Sequence, residues 1–125
     1  MKMSRVRFHG MKALGKMDKC NIHYSGIGWD DFDNNLPVQE NIDKMRIKFD
    51  MVIVYKPLEM KNFKDVTLPK CIRYNEMYNK KWTLGEIRDS GCELVVCHHL
   101  NDCEEYQKMN IKGVKFVYVG HCAEK

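Results

Sequence analysis

Five apolar runs separated by polar stretches recur along the chain, and each predicts a β-strand. The runs lie at 20–25, 51–55, 70–74, 93–97 and 114–119. The second run, Met-Val-Ile-Val-Tyr, is continuous and β-branched at its centre, which is typical of a strand buried on both faces of a parallel sheet. We therefore expect 51–55 and 93–97 to be among the most buried strands.

Helical spacing of apolar residues separates these runs. Residues 3–17 and residues 38–49 each place apolar side chains on one face of a helix. Pro37 suits the first turn of the second of these helices. The sequence therefore begins with a helix and has another one before the run at 51–55.

Capping signals predict two more helices. Thr83 and Glu86 are spaced as a capping box, in which each side chain can satisfy a backbone N–H of the first turn. Gly91 predicts the C-terminal end of that helix. Asn101 followed by Glu104 repeats the capping pattern and predicts a last helix that is capped by Asn101 and ends at about Met109.

The order of these elements is α-β-α-β-β-α-β-α-β, which predicts the α/β class. Helices that alternate with buried strands favour a mostly parallel, Rossmann-like sheet of about five strands with helices on both faces. At 125 residues the chain is expected to form a single domain, 1–125. A doubly wound sheet normally opens on a central strand, whereas this chain opens on a helix. We therefore expect the sheet to lack that first strand and to leave 20–25 and 93–97 without a partner on one side.

Composition and charge exclude some functions. The net charge is only +4, and the basic pair Lys80-Lys81 beside Trp82 is better explained as a solvated loop, so specific nucleic-acid binding is not expected. No apolar stretch approaches the ~20 residues of a membrane span. The N-terminus lacks an apolar signal region, and the six cysteines suit free thiols in a reducing compartment, so a cytoplasmic protein is expected. No cofactor is predicted.

Polar or aromatic residues follow each apolar run, and parallel strands would bring them to one edge of the sheet, where such folds bind ligands. The candidate substrate-binding residues are Gly26, Gly28, Trp29, Lys56, Asn75, Glu76, His98 and His99. The sharpest feature is the histidine pair, because an imidazole can act as a base or bind a phosphate or hydroxyl group. Alternatively, one histidine packs against the fold while the other is solvated. No catalytic residue is assigned.

Two further clusters carry weaker signals. Trp29 with Asp30 and Asp31 suits a sugar, since an aromatic face can stack on the ring and carboxylates can bind hydroxyls; the alternative is a turn with a half-buried tryptophan. Cysteines and histidines crowd residues 92–122, but their spacing matches no structural zinc site. No metal site is therefore predicted, and a zinc-stabilised domain is the least favoured hypothesis.

Several segments together resemble the N-terminal half of GT-B glycosyltransferases, the retaining group 1 family with two Rossmann-like domains. The matching segments are Arg7-Phe8-His9-Gly10, Ser25-Gly26-Ile27-Gly28-Trp29, Val38-Gln39-Glu40-Asn41-Ile42, 50–57, 72–76, 94–99 and His121-Cys122-Ala123-Glu124. The resemblance implies a Rossmann-like fold and sugar transfer from a nucleotide-sugar donor. It also implies a sugar acceptor as ligand and a partner chain that carries the donor-binding domain.

In that family, a first strand with a glycine-rich loop precedes the helix that opens this sequence, and a donor-binding domain follows the N-terminal half. Neither is present in the 125 residues. The resemblance therefore implies a truncated or split acceptor-side half that does not transfer sugar alone, and it leaves enzymatic activity open. The alternative is a non-catalytic α/β module that binds a sugar, a nucleotide or a protein partner. The identities of the sugars and the oligomeric state are not predicted.

Overall fold

The computed structural model describes residue 16 and residues 18–74 and 79–120. The chain divides into two units, Met1–Asp33 with His121–Lys125, and Asn34–Gly120, and we treat each by itself. The single domain 1–125 stays a prediction. The helix expected over 3–17 lies outside the described residues, as do the candidate ligand residues Asn75 and Glu76.

A four-stranded, wholly parallel sheet forms in the unit Asn34–Gly120. Its strands are β1 (Val52–Val54), β2 (Lys70–Tyr74), β3 (Leu94–Cys97) and β4 (Lys115–Tyr118), in the order β1-β2-β3-β4. The predicted α/β class and parallel sheet are therefore confirmed, and the arrangement is consistent with a Rossmann-like fold. The fifth strand expected at 20–25 is wrong, because residues 20–26 have no regular secondary structure.

One row of core residues crosses all four strands on the same face of this sheet. Val54, Ile72, Val95 and Phe116 are aligned across the four strands, and all four are buried. Because each strand pairs with the next one along the chain, right-handed crossovers place the connecting segments on a single face. On the opposite face Ile53 stays 39% exposed. The predicted arrangement of helices on both faces stays a prediction.

Among the described residues, three helices accompany the strands. They are α1 (Val38–Lys44), α2 (Lys80–Ser90) and α3 (Leu100–Lys108), and two short 3-10 turns, Pro57–Glu59 and Phe63–Asp65, fill the β1–β2 connection. Pro37 directly precedes α1 and does not lie in its first turn as predicted, and α1 ends earlier than the apolar stripe suggested. Gly91 ends α2 with a φ of 67°, a left-handed conformation that suits glycine, so that prediction is confirmed.

Both capping predictions are wrong. α2 begins at Lys80, and its cap is Asn79, whose side chain accepts a hydrogen bond from the Trp82 N–H at 3.0 Å. Thr83 and Glu86 are buried inside the helix instead. α3 begins at Leu100 after His99, two residues before the position expected for its first helical residue.

The ranking of strands by burial also differs from expectation. β1 lies at an edge of the sheet, whereas β2, predicted as a shorter strand, is the most completely buried. β3 pairs with β2 on one side and with β4 on the other. The expected loss of a partner beside 93–97 is therefore wrong.

Candidate functional site

A chain of contacts crosses the carboxyl ends of all four strands. Arg73 Nε donates a hydrogen bond to His98 Nε2 at 2.8 Å, and His98 Nδ1 lies 2.6 Å from the Val119 carbonyl oxygen. On the other side, the Arg73 guanidinium carbon lies 5.8 Å from the centre of the Tyr55 ring. We call this row, Tyr55, Arg73, His98 and Val119, the carboxyl edge.

The parallel pairing of the strands explains why these residues meet. Tyr55 and His98 each follow the last residue of a strand, Arg73 is the penultimate residue of β2, and Val119 follows β4. In strands that run parallel, these positions lie at the same end of the sheet. The edge is therefore a direct product of the parallel register.

The bonds of His98 define its protonation state. Nε2 accepts from Arg73, so the ring proton must reside on Nδ1, which then donates to the Val119 carbonyl. The imidazole is neutral in this arrangement and is only 4% exposed. Protonating Nε2 would replace the acceptor that Arg73 uses with a second donor. In this geometry His98 orients Arg73, which matches the packing alternative for one of the two histidines.

Arg73 is the group at this edge with the chemistry to recognise a ligand. It is half-buried, its Nε is held by His98, and its guanidinium lies near an aromatic ring. A guanidinium held in one orientation matches the two oxygens of a carboxylate or phosphate. The sequence interpretation did not single Arg73 out. The available signal was a charged residue in the interior of the predicted strand 70–74, which must be paired if it is buried.

The other candidate residues of this unit lie beside the carboxyl edge. Lys56 directly follows Tyr55, is exposed, and forms an ion pair with Glu59 at 2.7 Å. Such surface pairs contribute little to stability, so Lys56 can exchange partners at low cost. His99 is exposed and immediately precedes α3, without a side-chain cap for that helix.

A buried carboxylate supports the segments behind this edge. Glu86 of α2 accepts a hydrogen bond from the Tyr74 hydroxyl at the end of β2, and the Leu58 backbone also hydrogen-bonds to it. Burial raises the pKa of Glu86 above its usual value, and burial also raises that of Tyr74. These bonds tie α2 to β2 and to the turn after β1. Helical spacing could have revealed Glu86, because it lies with Thr83 and Ser90 on the buried stripe of α2.

The remaining candidates share one loop of the other unit. Gly26, Gly28 and Trp29 lie in the segment His23–Phe32, which we call the 23–32 loop. Asp31 accepts hydrogen bonds there from Ser25 Oγ at 2.9 Å and from His23 Nε2 at 2.7 Å. Each carboxylate oxygen of Asp31 thus accepts one hydrogen bond within the loop, and its expected contact with a sugar hydroxyl stays a prediction.

The described residues contain neither a cluster of metal ligands nor a helix that could span a membrane. Over residues 16, 18–74 and 79–120, no group of three or more metal-binding side chains comes together. Burial raises the pKa of the Cys97 thiol to about 12, and those of Cys71 and Cys92 to about 11. No helix in the same part of the chain is long and apolar enough to cross a bilayer. A cytoplasmic location stays a prediction.

Comparison of the sequence and structure with known proteins identified no relative. No protein-family model, no curated protein and no solved structure gave a significant match. The functional argument therefore rests on the residues of this chain.

Proposed function

We propose that the chain is a glycosyltransferase-like α/β half that binds a sugar phosphate or nucleotide sugar at its carboxyl edge and is inactive alone. The observation that carries the proposal is the oriented guanidinium of Arg73 at the carboxyl ends of parallel strands. Ligands of open α/β sheets bind outside that end of the strands. The sequence resemblance to GT-B enzymes supplies the sugar-transfer part of the proposal.

The carboxyl edge suits a phosphate better than an uncharged group. His98 and Tyr55 fix the orientation of the guanidinium before a ligand arrives, which reduces the ordering cost of binding. Lys56 adds a second positive charge next to Tyr55. Two oxygens of a phosphate can accept paired N–H donors from arginine.

Transfer needs more than this edge provides. In sugar transfer from a nucleotide donor, negative charge develops on the leaving diphosphate, and electrostatic stabilisation of such charge is usually the largest catalytic contribution. The GT-B resemblance assigns that task to a second domain. We therefore expect binding without turnover by the 125-residue chain, and donor-dependent glycosylation by the purified chain would contradict this.

Binding is tested by NMR titration of the chain with glucose 1-phosphate and with UDP-glucose. We expect backbone amide shifts next to Tyr55, Arg73 and His98, and loss of binding in Arg73→Gln. Arg88→Gln is the matched control, because Arg88 is an exposed arginine in the last turn of α2. Arg73→Lys preserves the charge and should bind more weakly than wild type but better than Arg73→Gln.

Two outcomes would overturn the proposal. One is equal affinity of Arg73→Gln and wild type for both phosphate ligands, provided that the amide spectra show both proteins folded. The other is a set of shifts confined to the amino ends of the strands. Shifts at the carboxyl edge without any transfer, even when a donor-binding partner domain is supplied, would favour the non-catalytic module.

A further inference from the structure

The 23–32 loop is a fixed double turn that presents one aromatic ring. The Trp29 N–H donates to the Gly26 carbonyl at 2.9 Å, and the Phe32 N–H donates to the Trp29 carbonyl at 3.1 Å. Gly28 has a φ of 90°, the positive value that the third residue of a type II turn requires. Trp29 therefore stands where two consecutive turns join, on a backbone with little freedom.

The side chain of Asp31 stabilises this turn geometry through two hydrogen bonds. One of its carboxylate oxygens accepts from Ser25 and the other from His23. These two hydrogen bonds, with that of His23 first, hold the pKa of Asp31 below its usual value. The carboxylate thus closes the loop across eight residues and positions the ring that the loop presents.

The exposed surface of the loop combines an apolar face with carboxylates. Trp29 is 40% exposed, although a tryptophan in a polar loop gains free energy when its ring is covered. Asp30 and Asp33 next to it are exposed and negatively charged. Such a surface repels a phosphate but can accept hydrogen bonds from hydroxyl groups.

A sugar ring has this complementary chemistry, since one of its faces is lined by C–H groups while its rim carries hydroxyls. We propose that the 23–32 loop binds a neutral hexopyranose, which stacks on Trp29 and donates a hydroxyl to Asp30, with Asp31 as the positioning residue. This inference goes beyond the proposed function, because it concerns an uncharged ligand and does not use Arg73.

The test is an NMR titration of the full chain with methyl α-glucopyranoside, methyl α-mannopyranoside and methyl α-galactopyranoside. The readout is the indole N–H signal of Trp29, assigned by its loss in Trp29→Phe. We expect this signal to shift with at least one glycoside at millimolar concentration. The indole of Trp82, which is more exposed on α2, should not move and is the internal control.

Three variants separate the contributions to binding. Trp29→Ala should lower the affinity by about tenfold or more, because the stacking contact is lost. Asp30→Ala should weaken binding through the lost acceptor. Asp31→Asn should weaken binding less than Trp29→Ala does, because the amide still supplies one of the two acceptor oxygens. Asp31→Ala supplies neither oxygen, so it should weaken binding more than Asp31→Asn does.

The inference fails if none of the three glycosides moves the Trp29 indole, if Trp82 moves equally, or if Trp29→Ala retains the wild-type affinity. Arg73→Gln should leave glycoside binding unchanged. Loss of phosphate binding in that variant with intact glycoside binding would support both proposals. Glucose 1-phosphate binding without glycoside binding would refute only this one.

Discussion

Removing one hydroxyl tests whether the buried carboxylate behind the carboxyl edge is satisfied as the structure indicates. Glu86 is 1% exposed and accepts a hydrogen bond from the Tyr74 hydroxyl. The variant Tyr74→Phe keeps the ring and its packing but removes this donor. The Leu58 backbone hydrogen bond remains, so the carboxylate stays in place with one partner fewer.

The expected loss follows from the burial of both partners. Loss of one hydrogen bond to a charged group costs about 1.5–3 kcal/mol. For a domain of this size, each kcal/mol lowers the midpoint of thermal unfolding by roughly 4–8 °C. Tyr74→Phe should therefore unfold at least about 4 °C below wild type.

The assay is thermal unfolding followed by circular dichroism, with Tyr118→Phe as the matched control. Tyr118 is 46% exposed on β4, so loss of its hydroxyl should change stability by less than about 0.5 kcal/mol. If Tyr74→Phe and Tyr118→Phe have the same midpoint as wild type, then Glu86 does not depend on the tyrosine donor and the reasoning is refuted.

The pH dependence of stability gives an independent check on Glu86. Because burial raises its pKa in the folded state, folding favours the protonated carboxyl. Its contribution to stability is fully present below the pKa of an unfolded glutamate and is lost as pH rises through the raised pKa. Glu86→Gln should remove this dependence, and Tyr74→Phe should cost less in that background. An unchanged pH profile in Glu86→Gln would contradict the assignment.

Three further outcomes are expected. In a Cys122→Ser background, a thiol reagent at about pH 8 should label Cys20 rapidly and the four buried cysteines only on unfolding, because burial makes them inaccessible. Burial also raises the thiol pKa values of Cys71, Cys92 and Cys97, which slows their reaction further, and rapid labelling of a second thiol would count against this. Gly91→Ala should destabilise the fold by about 1–2 kcal/mol, because Gly91 has a positive φ. Gly85→Ala should stabilise the fold by about 0.5–1 kcal/mol, because Gly85 lies inside α2 with open space around its Cβ position. Both changes are measured by urea unfolding, and shifts of the same sign would show the backbone argument to be wrong. His98→Gln can keep one donor and one acceptor for Arg73 and Val119, so it should be more stable than His98→Leu in the same assay, and equal stability would mean that the two hydrogen bonds contribute nothing.

Apolar continuity predicted the strands of the sheet, including β4, of which only Phe116 is buried. β2, β3 and β4 lie within the expected runs, and their parallel pairing follows from the helices between them. The run at 20–25 failed for a local reason. Ser25 and His23 bond to Asp31, and such side-chain hydrogen bonds compete with regular secondary structure.

Tertiary contacts cannot be read from local sequence patterns, and they explain why the capping prediction for α2 was wrong and why Arg73 was not predicted as a site residue. Glu86 has the spacing of a capping residue, but it is buried and accepts a hydrogen bond from the Tyr74 hydroxyl. The importance of His98 was predicted from its position after a strand. Its partner Arg73 lies 25 residues away in sequence, and only the parallel pairing of β2 with β3 brings the two together.

The order of the strands indicates where a ligand crevice would form relative to the carboxyl edge and to β1, which is at the edge of the described sheet. A doubly wound sheet forms its ligand crevice where the strand order reverses, whereas the described order β1-β2-β3-β4 runs in one direction. β1 is an edge strand with the composition of an interior one, since Val52–Val54 has neither the charge nor the proline that usually protects an edge. If a further strand paired with the outer side of β1 and its connection crossed the other face of the sheet, the strand order would reverse next to β1. Tyr55 and Lys56 directly follow β1, so the crevice would open beside them and next to Arg73, which is where the phosphate site is proposed.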